Sequence, residues 1–169
     1  MRRFGQVFTN EAGFRFTGTL QPVEDMKIYA DDYFPVRQIL RVFSPNTARP
    51  GEVITDSLNQ RYLLGEFDKR DVYEGFRLYP TNRQVEWSRP ATGRHPLTGE
   101  AVSGPLQAMG HIWVLSEIVS REARGAQVKV SEEVKRILTG ADVQLNDLLG
   151  GERVVKLHEA LGVKVLEVV

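Results

Sequence analysis

Between Ile39 and Trp87, short apolar segments alternate with clusters of Pro, Gly, Asn and Asp, and this rhythm constrains the fold more than any other feature of the 169-residue chain. Ile39-Leu40-Arg41-Val42-Phe43 reads as a strand, and Ser44 to Gly51 as a long turn. Val53-Ile54-Thr55 restarts a strand, Asp56 to Gln60 turns, and Arg61 to Phe67 is the next strand. After a charged turn over Asp68–Asp71, Gly75-Phe76-Arg77-Leu78-Tyr79 alternates strictly. Pro80 to Arg83 turns again before Gln84-Val85-Glu86-Trp87. Strands recurring every ~8–12 residues with turn signals between them predict a small antiparallel barrel or sandwich.

The flanks extend this reading. Gln6-Val7-Phe8 and Phe14-Arg15-Phe16-Thr17 read as strands joined by a hairpin loop at Asn10-Glu11-Ala12-Gly13. Residues 1–87 are therefore expected to form a β-barrel-like domain. Residues 88–107, with repeated Pro and Gly and no apolar period, predict an extended loop. Residues 108–169 predict an α+β extension. Met109 to Val119 favours a strand, with a helix over 116–124 as the alternative. Ser131 as N-cap, the Glu132-Glu133 pair and Gly140 predict a helix over 131–138. Val154, Leu157, His158 and Leu161 share one face of a helix over 152–161, closed by Gly162. Val163 to Val169 reads as a terminal strand. No internal repeat is visible. The fold class is mainly β: a small barrel or sandwich with a C-terminal α+β extension.

Composition narrows the function classes. The chain has no cysteine, which removes disulfides, thiolate nucleophiles and Cys-ligated zinc. Lys+Arg and Asp+Glu are both 22, so the basic excess of a phosphate-neutralising nucleic-acid binder is missing. No stretch reaches the ~20 apolar residues of a membrane helix. Met1-Arg2-Arg3-Phe4-Gly5 is not followed by the apolar run of a signal peptide, so folding in a cytoplasm and no membrane partner are expected.

The three histidines, His95, His111 and His158, match no metal-ligand spacing. His95 reads as a solvated loop residue and His158 as a structural one. The pairs Glu24-Asp25, Asp31-Asp32 and Glu132-Glu133 do not place two acids in one cleft. Gly150-Gly151 reads as a turn into a helix in preference to an anion site. Phe14, Phe16, Tyr62, Phe76, Tyr79 and Trp87 fall on successive strands, with Arg61 and Arg77 interleaved. Core packing accounts for them more simply than a nucleic-acid-binding face. No catalytic, cofactor-binding or metal residue is assigned, no cofactor is expected, and the chain reads as a non-enzyme.

Leu40-Arg41-Val42-Phe43, the loop ending Gly51-Glu52, Val53-Ile54, Tyr62-Leu63-Leu64-Gly65, Phe76-Arg77-Leu78-Tyr79 and Val85-Glu86-Trp87 follow one another in an order that resembles the small β-barrel of tailed-bacteriophage neck proteins, the head-closure and head–tail joining family. The resemblance implies a structural virion protein, assembled in the host cytoplasm as a homo-oligomeric ring between portal or adaptor and tail proteins. It implies contact with nucleic acid only by passage through a channel. The chain departs from that family in its length and in the segment after residue 108. Other readings are a tail, baseplate or capsid-decoration protein, or a barrel that binds single-stranded nucleic acid.

Overall fold

A computed structural model describes residues 5–22, 36, 38–43, 46–94, 96–99, 101–124 and 129–169. Their regular structure is entirely β, in twelve strands. The first six are β1 (Gln6–Asn10), β2 (Arg15–Pro22), β3 (Gln38–Phe43), β4 (Val53–Asp56), β5 (Arg61–Lys69) and β6 (Tyr73–Pro80). They close into an antiparallel barrel in the order β1-β2-β3-β6-β5-β4. The alternation read from the sequence is what fills it. Phe8, Leu40, Val42, Ile54, Leu64, Phe76 and Leu78 point inward and are buried. Phe8 stacks on Phe16 at 5.9 Å between ring centroids.

The other six strands are β7 (Arg83–Arg94), β8 (Ala101–Arg124), β9 (Lys129–Thr139), β10 (Leu148–Leu149), β11 (Glu152–Ala160) and β12 (Val163–Val168). They form a second closed barrel, β10-β11-β12-β9-β8-β7. Read around the ring from β7, its order is β7-β8-β9-β12-β11-β10, which is the first barrel's order with six added to every strand number. The chain is thus a tandem of two barrels of one topology, although no repeat shows in the sequence.

The expected C-terminal α+β extension is this second barrel, and both expected helices are strands. Segment 131–138 lies in β9, where neighbouring Ile137 and Leu138 are both buried but belong to different cores. Ile137 fills the second barrel and Leu138 packs towards the first. A strand covered on both faces loses its polar alternation and mimics a short helix. Segment 152–161 is β11 and its closing turn. A β-bulge between Val154 and Lys156 shifts the register, so Val154 and Leu157 both reach the barrel interior. The bulge gives a strand the three-residue spacing of a helix. Leu161 and Gly162 take φ of 55° and 73°, the paired positive angles of a two-residue hairpin turn. Gly150 and Gly151 do the same, at 60° and 89°, between β10 and β11. The terminal strand appears as expected.

The segment read as an extended loop over 88–107 is largely strand as well. Residues 89–94 of β7 pair with 101–107 of β8, with a register shift between Pro90 and Thr92. Proline removes a ladder donor and is tolerated at bulges and free edges, so its presence concealed the strand.

Candidate functional site

Two places combine unusual geometry with polar groups: the junction of the barrels and the base of the β7–β8 ribbon. Only Thr81 and Asn82 connect β6 to β7, and both are fixed. Thr81 donates from its backbone N–H and its hydroxyl to the Arg61 carbonyl at 3.0 and 3.2 Å. The Asn82 side chain donates to the Ser116 carbonyl and accepts from the Ser116 N–H, each at 2.8 Å. Val53, Leu63 and Tyr79 of the first barrel meet Leu138, Val163 and Val165 of the second in one buried cluster, with Trp113 and Leu115 packed against it. Along β8 the alternation is regular, with Ile112 and Val114 packing into the second barrel and Trp113 and Leu115 into the junction. The Arg61 guanidinium lies over the Trp113 ring at 4.3 Å.

At one side of the junction, Glu11, Glu52, Trp113 and Thr139 line a cleft of about 170 Å³. Packing around the Glu11 carboxyl, and secondarily the negative charge of Glu52, push its pKa up against a smaller opposing pull from Arg61. A carboxyl whose folded pKa is raised loses favour as pH rises through its unfolded value. Glu11→Gln is therefore expected to leave stability unchanged or slightly higher at pH 7, within about 0.5 kcal/mol. The gain should vanish below pH 4, where wild-type Glu11 is itself protonated. Urea unfolding at the two pH values checks this, and a loss above about 1 kcal/mol at pH 7 would contradict it.

At the ribbon base, Asp147 is 1 % exposed and gathers four donors. Trp87 Nε1 donates at 2.8 Å, Arg89 Nε and Nη2 at 2.9 Å each, and the Gln144 N–H at 2.9 Å. Arg89 Nη2 also donates to the Asp142 carbonyl at 2.7 Å. Burial works to raise the Asp147 pKa, but the hydrogen bonds from Arg89, Gln144 and Trp87 and the Arg89 charge outweigh it, and the carboxyl stays below the usual range. Nothing in the sequence marks Asp147, because its role depends on residues about sixty positions earlier.

This clamp holds the root of a long ribbon. β10 covers β7 only at Trp87 and Ser88, so beyond them β7 and β8 run on as a two-stranded arm. At the other end of β8, residues 119–124 pair with 129–134 of β9 past the last β12 pairing at Lys135. Leu97, Leu106 and Met109 on the first arm and Ile118 at the root of the second are exposed. A two-stranded ribbon is marginal alone, and its unpaired edges offer N–H and C=O groups to another chain.

The residues singled out in the sequence scatter. His111 is exposed on β8 opposite Glu86, His158 is exposed on β11 opposite Val165, and His95 lies outside the described residues. Glu24-Asp25 and Asp31-Asp32 also lie outside them. Glu132 and Glu133 sit within β9 and cap no helix. Phe76 is in the first core, Tyr79 in the junction, and Trp87 against the second core. Phe14 is exposed. Arg61 and Arg77 stack on Trp113 and Phe67, so no open face interleaves the aromatics with these arginines. Among the described residues, no group of three or more His, Asp or Glu is placed to hold a metal ion. No family model matches the chain, and no curated protein or solved structure is similar to it.

Proposed function

We propose that this chain is a structural virion protein of a tailed phage, a neck component that forms a homo-oligomeric ring between portal and tail. The observation that carries the reading is the pair of β-ribbon arms at the two ends of β8, rooted in a tandem of closed barrels. Closed barrels have no free sheet edges, so the open backbone groups lie on the arms, which also expose Leu97, Leu106 and, at the second root, Ile118. A ring subunit needs a stiff body and elements that reach its neighbours. The balanced charge offers little long-range repulsion to self-association.

Size-exclusion chromatography with light scattering, followed by electron microscopy with and without portal and tail proteins, tests the proposal. A closed ring that binds one of them is the expected result. A chain that stays monomeric at high concentration and engages neither would overturn it. Salt-dependent capture of single-stranded oligonucleotide by such a monomer would favour the nucleic-acid-binding alternative.

A further inference from the structure

The β7–β8 ladder is broken where the first arm leaves the barrel. Trp87 pairs with Gly110 and Ser88 with Ala108, so Met109 is an extra residue on β8. Pro90 pairs with Leu106 and Thr92 with Ser103, so β8 again carries one residue more than β7 across that step. A bulge bends its strand and interrupts the ladder locally. Gly110 has a φ of 123°, and a Cβ built on it would meet nothing within 4 Å. The Met109–Gly110 step therefore combines glycine's conformational freedom with open space. It lies opposite Trp87 and Ser88, the last residues of β7 that β10 covers. A few such residues can absorb the backbone change of a hinge.

Asp147 spans this break. On the body side, Trp87 Nε1 donates to its Oδ2 at 2.8 Å. On the arm side, Arg89 is the first residue past the cover of β10, and its guanidinium reaches back to the connection between β9 and β10. Arg89 Nε donates to Asp147 Oδ1 and Nη2 to Oδ2, each at 2.9 Å, and Nη2 donates to the Asp142 carbonyl at 2.7 Å. A bidentate fork fixes direction as well as distance. The guanidinium also lies 5.3 Å from the centre of the Trp87 ring. One carboxylate thus holds the residues before and after the bulge in a fixed relation.

We propose that Arg89 and Asp147 form a latch that sets the direction of the β7–β8 arm, and that releasing it lets the arm swing about Met109–Gly110 while the second barrel stays closed. The barrel closes on the body side of the bulge, where β10 pairs with Trp87 and Ser88 and where Val85, Val114 and Leu149 are buried in its core. The inference is independent of the ring reading, because the direction of the arm is a property of a single chain.

The chain has no cysteine, so pairs of introduced cysteines carry spin labels at chosen sites. Leu97→Cys on the arm, at a residue 90 % exposed, is paired with Glu159→Cys at an exposed position of β11. Leu58→Cys in the β4–β5 turn, paired with Glu159→Cys, reports on the barrels alone. Labelled chains are diluted with unlabelled ones so that only distances within a chain are read. The release variant is Arg89→Leu with Asp147→Asn. The side-chain oxygen brought by Asp147→Asn can stand at the place of Oδ2 and keep the Trp87 and Gln144 donors, and no charge is left buried. With the latch intact, the arm-to-barrel distance should be single and narrow. In the release variant it should widen or shift, while the distance between the barrels stays as it was. Arg89→Lys keeps the charge without the fork and should give an intermediate width. An arm-to-barrel distance that stays narrow in the release variant, or is already broad with the latch intact, overturns the proposal. A release variant that unfolds or changes the distance between the barrels overturns it equally, because the pair would then belong to the barrel's fold and not to a latch.

Discussion

Asp147→Ala is expected to cost about 3 kcal/mol of stability, lowering the melting midpoint by roughly 6–12 °C for a chain of this size. The carboxylate is buried and accepts from Trp87, both faces of the Arg89 fork and the Gln144 N–H. Its removal strands those donors in a place where replacements from water are scarce. The Arg89 side chain is 25 % exposed and keeps its bond to the Asp142 carbonyl, which holds the cost near the lower end for a broken buried pair. The pH dependence has a definite sign. The Asp147 pKa is depressed in the fold, so its contribution is full above the ordinary aspartate value of about 4 and fades as pH falls through the folded value. Acid unfolding should therefore be shallower in Asp147→Asn than in wild type over that window. Thermal unfolding by circular dichroism between pH 2 and 7 reads both effects. A loss under about 1 kcal/mol at pH 7 would mean that the clamp carries little of the second barrel's stability.

Gly140→Ala should be comparably damaging by the opposite route, adding atoms where there is no room. A Cβ at Gly140 would lie 1.7 Å from the Gly51 carbonyl oxygen and 2.4 Å from its carbon. Both obstacles are backbone, and Gly51 is tied to the Leu64 carbonyl by its own N–H at 2.8 Å. Relief requires the barrels to move apart, which opens the packing of Val53, Leu63 and Tyr79 against Leu138, Val163 and Val165. The expected loss is about 3 kcal/mol, at the upper end for overpacking. It should be accompanied by a change in the emission of Trp113, whose ring lies at that junction. Chemical unfolding followed by tryptophan fluorescence measures both, and wild-type stability with unchanged emission would refute the close approach.

The first barrel was legible in the sequence because turn signals bound its strands and because β3 and β6 alternate apolar residues with arginine. Leu40 and Val42 alternate with Arg41, and Phe76 and Leu78 with Arg77, so the period of two is written in polarity. The second barrel was legible only in its strands at 84–87, 109–119 and 163–169, for three local reasons. β9 and β12 are covered on both faces near the junction, which places Ile137 beside Leu138 and Val165 beside Leu166 with no polar residue between them. The bulge in β11 turns strand spacing into helix spacing at Val154 and Leu157. Pro90 and Pro105 disguise a ribbon as a loop. The junction and the Asp147 clamp were invisible for a different reason. Both are made by residues far apart in the chain, and a carboxylate in Asn146-Asp147-Leu148 looks like any turn acid until Trp87 and Arg89 are brought against it.

Strand β8, running unbroken from Ala101 to Arg124, is flanked by β7 along one half and β9 along the other. At about 3.3 Å per residue it is roughly 80 Å of continuous chain. A pull between the two arm tips is carried along this one strand, and the ladder bonds holding it lie across the line of force. They are loaded in shear, many at once, instead of being unzipped singly from an end. The second barrel is thus stiff along β8, and yields to such a pull only when much of the ladder gives way together.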